Sequence, residues 1–530
     1  MNVTQVLKRW KDLDSSKGHW RGHWEDLSRI FLPSRGGFTS DSVEGQRDVD
    51  IFDGTPMQAA RSLANAVSWM MRPEGIPKIK IETDDDSLND LSIVKDWLSL
   101  SSEILADAMG NPKARYRQAA SEKDLDLVVF GTAALFIGEM QNRLFYQSLH
   151  LKDCTPVFGE LGAEGMFIKR NLSIRQLANK FGVNNLSEQS RKKYENKPDE
   201  KINVLHCVIP REGKNNPLFS KDFPVTDTWI EIEAKHVISE GGFHEFPFVV
   251  PRWDTTSGED YGRSPGMIAL PDGETLQAMG ETILIAGQRA ADPPLMAPND
   301  GSFDALNTFP GGLSYYDVET AAKVRGNPFY PLESGANLPI SRDMQADARD
   351  QIFSAFFKNI LNLPIDGPEM TATEVIQRKD EMIREVGPTF GKLESDDIGP
   401  AIERSFMIIL RAGGFPPIPK ELQGQNIKFE YDSPIKRIRK QIDAAAAKLW
   451  VSEQIAISEI RPEQTDNINF DEYAKFTHEA GGVPDKLLNN EEDISKIREA
   501  RQAQQEEQAR LAQLQQQFET VKTGKEAFQQ

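Results

Sequence analysis

Apolar residues recur at mostly three- or four-residue steps between Met370 and Pro417, in the order Val375, Met382, Val386, Phe390, Leu393, Ile398, Ile402, Phe406 and Ile409. That spacing places them on one face of a helix. Thr371 and Glu374 stand in the relation of a capping box, the hydroxyl taking an amide of the first turn and the carboxylate reaching back to the cap amide. Gly387-Pro388 and Gly399-Pro400 interrupt the pattern, since each proline removes a backbone donor and crowds the preceding turn. Residues 370–417 are therefore expected to form one long, kinked helix. Gly413-Gly414 would end it and Pro416-Pro417 would block its continuation.

The same reading divides the rest of the chain. A helix carrying Trp20, Trp24, Leu27 and Phe31 closes at Pro33, and a second, signalled by Asp53 before Pro56, aligns Met57, Ala60, Leu63, Val67 and Met71. Residues 76–81 alternate as an edge strand does, and helices are expected at about 88–109 and 112–130. Strands are expected at 132–137, 144–151, 165–170, 202–210, 228–234 and 246–250, where β-branched and aromatic residues lie between Gly, Pro and Asn. Their short connections make the sheet mainly antiparallel, and a helix with Ile174, Leu177, Ala178 and Phe181 interrupts it. Beyond it, one helix runs from Asp272 to about Arg289, and another from near Ile340 carries Phe353, Phe356 and Phe357. Residues 295–334 between them are too many for an undecorated loop. The segment 362–369, NLPIDGPE, is irregular, with Leu363 and Ile365 at its tip. A strand over 426–431 precedes an alanine-rich helix at 435–460, opened by Lys436, Arg437, Arg439 and Lys440, the densest basic cluster in the chain. The last thirty residues are rich in Gln, Glu and Ala, a composition that suits an extended helix or a disordered tail. The fold class is α+β, predominantly helical.

Composition narrows the function. At 530 residues with 39% hydrophobic and 27% charged residues, the chain has material for several cores. Its net charge of −19 argues against tight non-specific nucleic-acid binding, which rests on phosphate neutralisation, but leaves DNA open as a passing guest. Cys154 and Cys207 lie far apart without a CxxC partner and are expected as buried thiols. With no signal-peptide pattern and no long apolar run, the chain is expected to be neither secreted nor membrane-spanning.

Three chemical motifs bear on function. Gly262-Arg263-Ser264-Pro265-Gly266 has the spacing of a serine-hydrolase nucleophile elbow, but Pro265 has no N–H to give an oxyanion hole and no strand runs into it. No phosphate-binding G-x-x-x-x-G-K-[ST] occurs, so the chain is not a packaging ATPase. His19 and His23 stand four apart, a metal-compatible spacing, but lack an indicated third ligand. No catalytic residue, metal or cofactor is expected.

The wording MTATEV, the VGP that follows, a Leu-Glu pair and RxxxxILRxGxxPP resemble the central helix of portal proteins, the head-to-tail connectors of short-tailed, T7-like phages. The tryptophan-rich opening helix ending in LP, the FIKRNLSIRQLANKFG segment and the 466–505 region resemble the same family, which extends the likeness from about residue 15 to about 505. The resemblance implies a ring subunit with wing, stem, clip and crown regions: a wing at 1–260, stem helices at 261–294 and 335–361, a clip at 295–334, a tunnel loop at 362–369, the kinked helix at 370–417, a crown at 418–505 and a tail at 506–530. It implies a ring of about twelve subunits with heterologous contacts, assembled in the host cytoplasm and resident in the virion. Its partners would be the terminase large subunit, tail or adaptor proteins, capsid and scaffolding proteins, and double-stranded DNA passing through. On this reading Leu363, Ile365, Asp366 and Glu369 line the DNA channel, Lys436, Arg437, Arg439 and Lys440 touch phosphates, and Phe353, Phe356 and Phe357 meet a neighbouring subunit. The alternatives are another head-tail adaptor and a hydrolase using Ser264.

Overall fold

The computed structural model describes residues 2–39, 51–73, 75–89, 91–160, 162–211, 219–291, 295–296, 330–331, 338–358, 384–431, 434–458, 460–481, 494–508 and 510–511. The chain divides into two compact units, Met1–Pro434 and Ile435–Gln530.

In the first unit, α1 (Val3–Ser16) and α2 (Gly18–Phe31) are followed by α3 (Thr55–Met71), whose first turn is fixed where Asp53 Oδ1 accepts the Thr55 amide at 2.8 Å. The face expected from the sequence is the buried one: Ala60, Leu63, Val67 and Met71 are all inaccessible. Then come β1 (Ile79–Thr83), α4 (Asp86–Asn89), α5 (Ser92–Gly110) and α6 (Tyr116–Phe130). Helix α6 is buried on nearly every side, charged residues included, because α2, α3, α5, residues 144–149 and α9 (Pro265–Ala291) all pack on it.

Two antiparallel sheets follow. One has the order β3-β2-β9, from β2 (Ala134–Glu139), β3 (Leu144–Leu149) and β9 (Phe248–Val249). The other is a five-stranded meander, β4 (Cys154–Gly159), β5 (Gly162–Ser173), β6 (Lys201–Val208), β7 (Val225–Glu231) and β8 (His236–Phe243), each strand pairing with the next. Period-two alternation sorts its residues: Phe167, Leu205 and Cys207 pack with Val6, Leu7 and Trp10 of α1, while Met166, Ile168 and Val208 join Ala134, Leu149 and Phe248 in another core. The interrupting helix stands where the pattern put it, as α7 (Ile174–Phe181), opened by a capping box of Ser173 and Gln176, and α8 (Glu188–Asn196) follows it. Strands β4 and β8 and helices α1 and α8 did not stand out in the pattern: β4 contains Pro156, and β8 ends in Glu240-Gly241-Gly242. Both cysteines are free and fully buried, and burial pushes each thiol up to about 12.

Helix α9 starts at Pro265 rather than at Asp272, and it packs along α10 (Leu338–Ala355), so the two expected helices form a pair. Strands β10 (Leu295–Met296) and β11 (Tyr330–Pro331) pair between them. The α9–α10 pair is fastened to the chain before α3: Gln277 accepts the Phe52 and Asp53 amides at 2.7 and 3.0 Å, and Arg349 holds Asp53 at 2.7 Å.

The kinked helix is described from residue 384. It runs over 384–393, widens into a π-turn at Glu394–Ile398, and continues as Gly399–Arg411. Its end is the expected glycine stop, for Gly413 is left-handed at φ 69°, its amide bonds Leu410 O at 3.1 Å, and the Gly414 amide bonds Ile409 O at 3.0 Å. The capping box at Thr371 and Glu374 lies outside the described residues. Strand β12 (Ile427–Tyr431) then returns to pair with β1, within the unit that ends at Pro434.

The second unit holds a helix Pro434–Ser458, a 3-10 turn Pro462–Asn467, a helix Phe470–Gly481 and a helical stretch over 494–508. Asn469 caps the Phe470 helix, its Oδ1 accepting the Asp471 and Glu472 amides at 3.2 and 3.3 Å.

Candidate functional site

The G-x-S-x-G stretch is a packing joint. Ser264 is 2% exposed; its hydroxyl donates to Val129 O at 2.7 Å and accepts the Met267 amide at 3.1 Å, so it is the N-cap of α9 with Pro265 in the first helical position. The glycines let α9 start against the end of α6. A Cβ on Gly262 would stand 2.3 Å from Gly131 O, and one on Gly266 would stand 2.9 Å from Val129 O. A buried, doubly bonded hydroxyl without a base is no nucleophile.

The densest chemistry lies beneath the kink. Arg72 at the end of α3, Lys123 and Asp124 on α6 and Asp397 in the π-turn have side chains only 1–4% exposed. Arg72 and Lys123 are each paired to a carboxylate, Arg72 to Asp124 and Lys123 to Asp397; Lys123 Nζ also lies 3.2 Å from Asp124 and Arg72 Nη1 3.7 Å from Asp397. Two cations and two anions balance. Burial alone would lower the Arg72 pKa, but Asp124, Tyr116 and Asp397 outweigh it and the guanidinium stays charged. Removing one member of such a set leaves a bare buried charge, at a cost of about 3–5 kcal/mol. Downstream, Tyr146 and Ser405 hydroxyls meet at 2.6 Å, Glu245 is paired with Arg404 and Arg411, and Trp97 Nε1 donates to Pro416 O at 3.1 Å. The kinked helix is thus tied to α3, α5, α6 and both sheets' periphery.

Three more buried ionisable groups brace the same unit. Lys17, wholly buried between α1 and α2, donates to Leu151 O, Lys152 O and Cys154 O at 2.6, 3.1 and 2.7 Å, and burial draws its pKa down to about 8. Asp126 on α6 faces Arg35 Nε at 3.1 Å, but burial outweighs that cation and lifts its carboxyl to about 7. Burial and Arg35 hold His150 down to about 3, so it is neutral, with Nδ1 accepting the Lys152 amide at 3.2 Å. None of these groups was singled out from the sequence. The available signal was charge set directly against an apolar run, Lys123, Asp124 and Asp126 just before Leu127-Val128-Val129-Phe130.

The residues expected to act are scattered. Leu363, Ile365, Asp366 and Glu369 lie outside the described residues, as does most of 295–334. Lys436, Arg439 and Lys440 stand in the first turns of the Pro434–Ser458 helix, Arg439 exposed and the other two half-buried; the Arg437 side chain is outside the description. The aromatic trio requires a correction. Phe356 is 1% exposed within the single chain and packs on Phe31 with ring centroids 5.4 Å apart, so it is a core residue, not a surface offered to a neighbour. The expected helix stops at Ala355, and Phe357 adopts φ 56°, which turns the chain. Phe353 and Phe357 remain half-buried, with Lys358 Nζ 3.5 Å over the Phe353 ring. His19 is exposed and His23 half-buried; among the described residues no three His, Cys, Asp or Glu side chains converge as metal ligands. No described helix is long and apolar enough to cross a membrane.

Buried ion pairs thus brace the first unit beneath a long interrupted helix. The chain belongs to the bacteriophage head to tail connecting proteins, whose family model matches residues 3–488, and the phage connector recognised in the central helix is borne out. It is 26% identical over 508 residues to the "Probable portal protein" of Bordetella phage BPP-1 and 26% identical over 506 residues to the "Portal protein" of Salmonella phage epsilon15. Each alignment covers 93% of this chain and 90% of the relative. A chain of the "Virion of native gene transfer agent (GTA) particle" superposes at a TM-score of 0.34 and 13% identity, covering 81% of this chain and 94% of that one. None of these names carries a catalytic activity.

Proposed function

We propose that this connector is the portal subunit of a short-tailed phage: a closed ring at one capsid vertex, through which DNA is pumped in and later leaves. The observation that carries the reading is the family match from α1 through the Phe470–Gly481 helix, one protein type over nearly the whole chain. The two relatives bearing the name portal protein, each aligned over nine-tenths of its own length, support it. In a ring of about twelve copies the contacts are heterologous, and closure of the rotation is what prevents a fibre. The paired α9 and α10 are the stem, residues 295–334 the clip that receives the terminase large subunit and then tail proteins, and residues 418–505 the crown. Capsid and scaffolding proteins surround the ring as it assembles in the host cytoplasm.

Residues 362–369 carry Asp366 and Glu369 and no lysine or arginine. As a tunnel loop repeated around the axis, this segment presents carboxylates to phosphates, and like charges favour sliding over gripping. Leu363 and Ile365 then guide DNA sterically. Replacing Asp366 and Glu369 together by lysine creates cation contacts that release counterions. Packaging by the double variant slows at low salt and recovers partly as salt rises, with assembly unchanged; wild-type rates at every ionic strength would remove these carboxylates from the channel.

A further inference from the structure

The strand-helix run from Phe167 to Gly182 brings two cations to one aromatic ring. Trp229 on β7 is 4% exposed, and its cross-strand partner His206 on β6 stacks on it, with ring centroids 4.1 Å apart and planes 13° from parallel. Lys180 Nζ, from the last turn of α7, stands 3.8 Å from the centre of the same ring, and Arg170 Cζ, from β5, stands 5.7 Å from it. The two stacked rings are buried, Arg170 is half-buried and Lys180 is exposed, so a solute can reach the cations from the Lys180 side.

Other inward-facing cations of this unit are met by oxygen. Arg72, Lys123 and Arg404 are paired with carboxylates and Lys17 with three carbonyls, whereas among the described residues no ion pair joins Arg170 or Lys180 to a carboxylate. The two acids nearby are engaged otherwise. Asp227 Oδ1 bonds His206 Nε2 at 2.7 Å and accepts Trp229 Nε1 at 3.1 Å. Asp153, raised by burial, is shared among Lys152, Lys17, Arg170 and Lys169. The negative end of α7 offers Lys180 only about half a charge. Positive charge is thus left over locally in a chain whose net charge is −19. Burial draws both Lys180 and Arg170 below their ordinary values, and the Arg170 charge depresses Lys180 further. Stacking on Trp229 explains one cation over the ring, not a second beside it. Two cations held close without a counter-ion repel, and such an arrangement is the mark of a site completed by an anion.

We propose that Arg170 and Lys180 form a binding site for a phosphate dianion beside the Trp229–His206 stack. A phosphate monoester carries about −1.5 to −2 charges at neutral pH and can balance both groups, which a single carboxylate or phosphodiester cannot. The guanidinium fork can take two of its oxygens and the ammonium a third. The site is a property of this chain and is independent of the portal reading.

Calorimetric titration of the full-length chain, dialysed free of phosphate, tests it. Inorganic phosphate should bind with a dissociation constant of about 1 mM, the affinity that two charge-assisted contacts supply, and acetate about tenfold more weakly. Phenyl phosphate separates the sources: binding no tighter than inorganic phosphate marks a site for the free ion, and tighter binding marks one for the phosphate end of a larger molecule. Lys180→Gln and Arg170→Gln should each weaken phosphate binding by about tenfold or more. Lys192→Gln, which replaces an exposed lysine on α8, should leave it unchanged. Lys180 is exposed, so its replacement leaves the fold standing, which an unchanged urea midpoint verifies. No saturable heat with phosphate, equal affinity in all four proteins, or binding of an unphosphorylated duplex oligonucleotide in place of phosphate would overturn the proposal.

Discussion

Replacing Asp126 by asparagine should stabilise the protein at alkaline pH and leave it nearly unchanged in acid. Burial raises this carboxyl from its ordinary 3.8 to about 7, against the pull of Arg35 and with a small push from Glu122. A raised carboxyl pKa means that the folded chain holds a proton the unfolded chain has released. Its contribution is therefore most favourable below about pH 4, is lost as pH rises from 4 to 7, and is constant above. About three pKa units at 1.36 kcal/mol each give roughly 4 kcal/mol across that window. Both Asp126 oxygens are buried without a well-formed hydrogen bond, so the ionised carboxylate recovers little of its lost solvation. Asparagine keeps the shape and carries no charge at any pH. Urea denaturation of both proteins at pH 4.5 and 8 should show a midpoint difference at pH 8 that shrinks in acid. Other groups, His150 among them, titrate alike in both chains and cancel in the difference. A variant no more stable than the parent at pH 8, or a difference independent of pH, would refute the assignment.

Ser264→Ala should lower stability by about 2 kcal/mol, the cap together with an abandoned Val129 carbonyl, and assays with a simple ester should show no hydrolysis to lose. Lys17→Met strands three buried carbonyls and should cost about 3 kcal/mol or more, read as an earlier denaturation midpoint. Phe356→Asp places a charge in the α2–α10 core and should give insoluble or unfolded chain, whereas folded, unassembled protein would return this residue to a subunit interface.

The central helix was legible because its information is local: Gly413-Gly414 specifies a left-handed stop, and apolar spacing marks the buried face. The kink was legible too, but not its form. Gly399-Pro400 announces an interruption, whereas the π-turn sets Asp397 against Lys123 and Arg72, partners that only the fold supplies. Strand β8 was missed because Gly241 and Gly242 give no apolar alternation to read; Gly242 serves a close approach, a Cβ there falling 2.6 Å from Ser220 O. The aromatic trio misled for a related reason. Phe353, Phe356 and Phe357 look like surplus apolar surface on a lone helix, and only the fold brings Phe31 against Phe356. The buried charges were invisible because Arg72, Lys123 and Asp397 are far apart in sequence, and each alone reads as a solvated side chain. The G-x-S-x-G motif could be rejected chemically from Pro265, but its positive meaning needed Gly131 and Val129 from the facing helix end.

As a portal subunit, this chain would close into a ring with a passage along its axis. Negative-stain electron microscopy of the purified full-length protein, with mass photometry of the same sample, tests that most directly. Rings of about twelve copies with a central hole are expected. A monodisperse monomer under every assembly condition, or open filaments in place of rings, would contradict it.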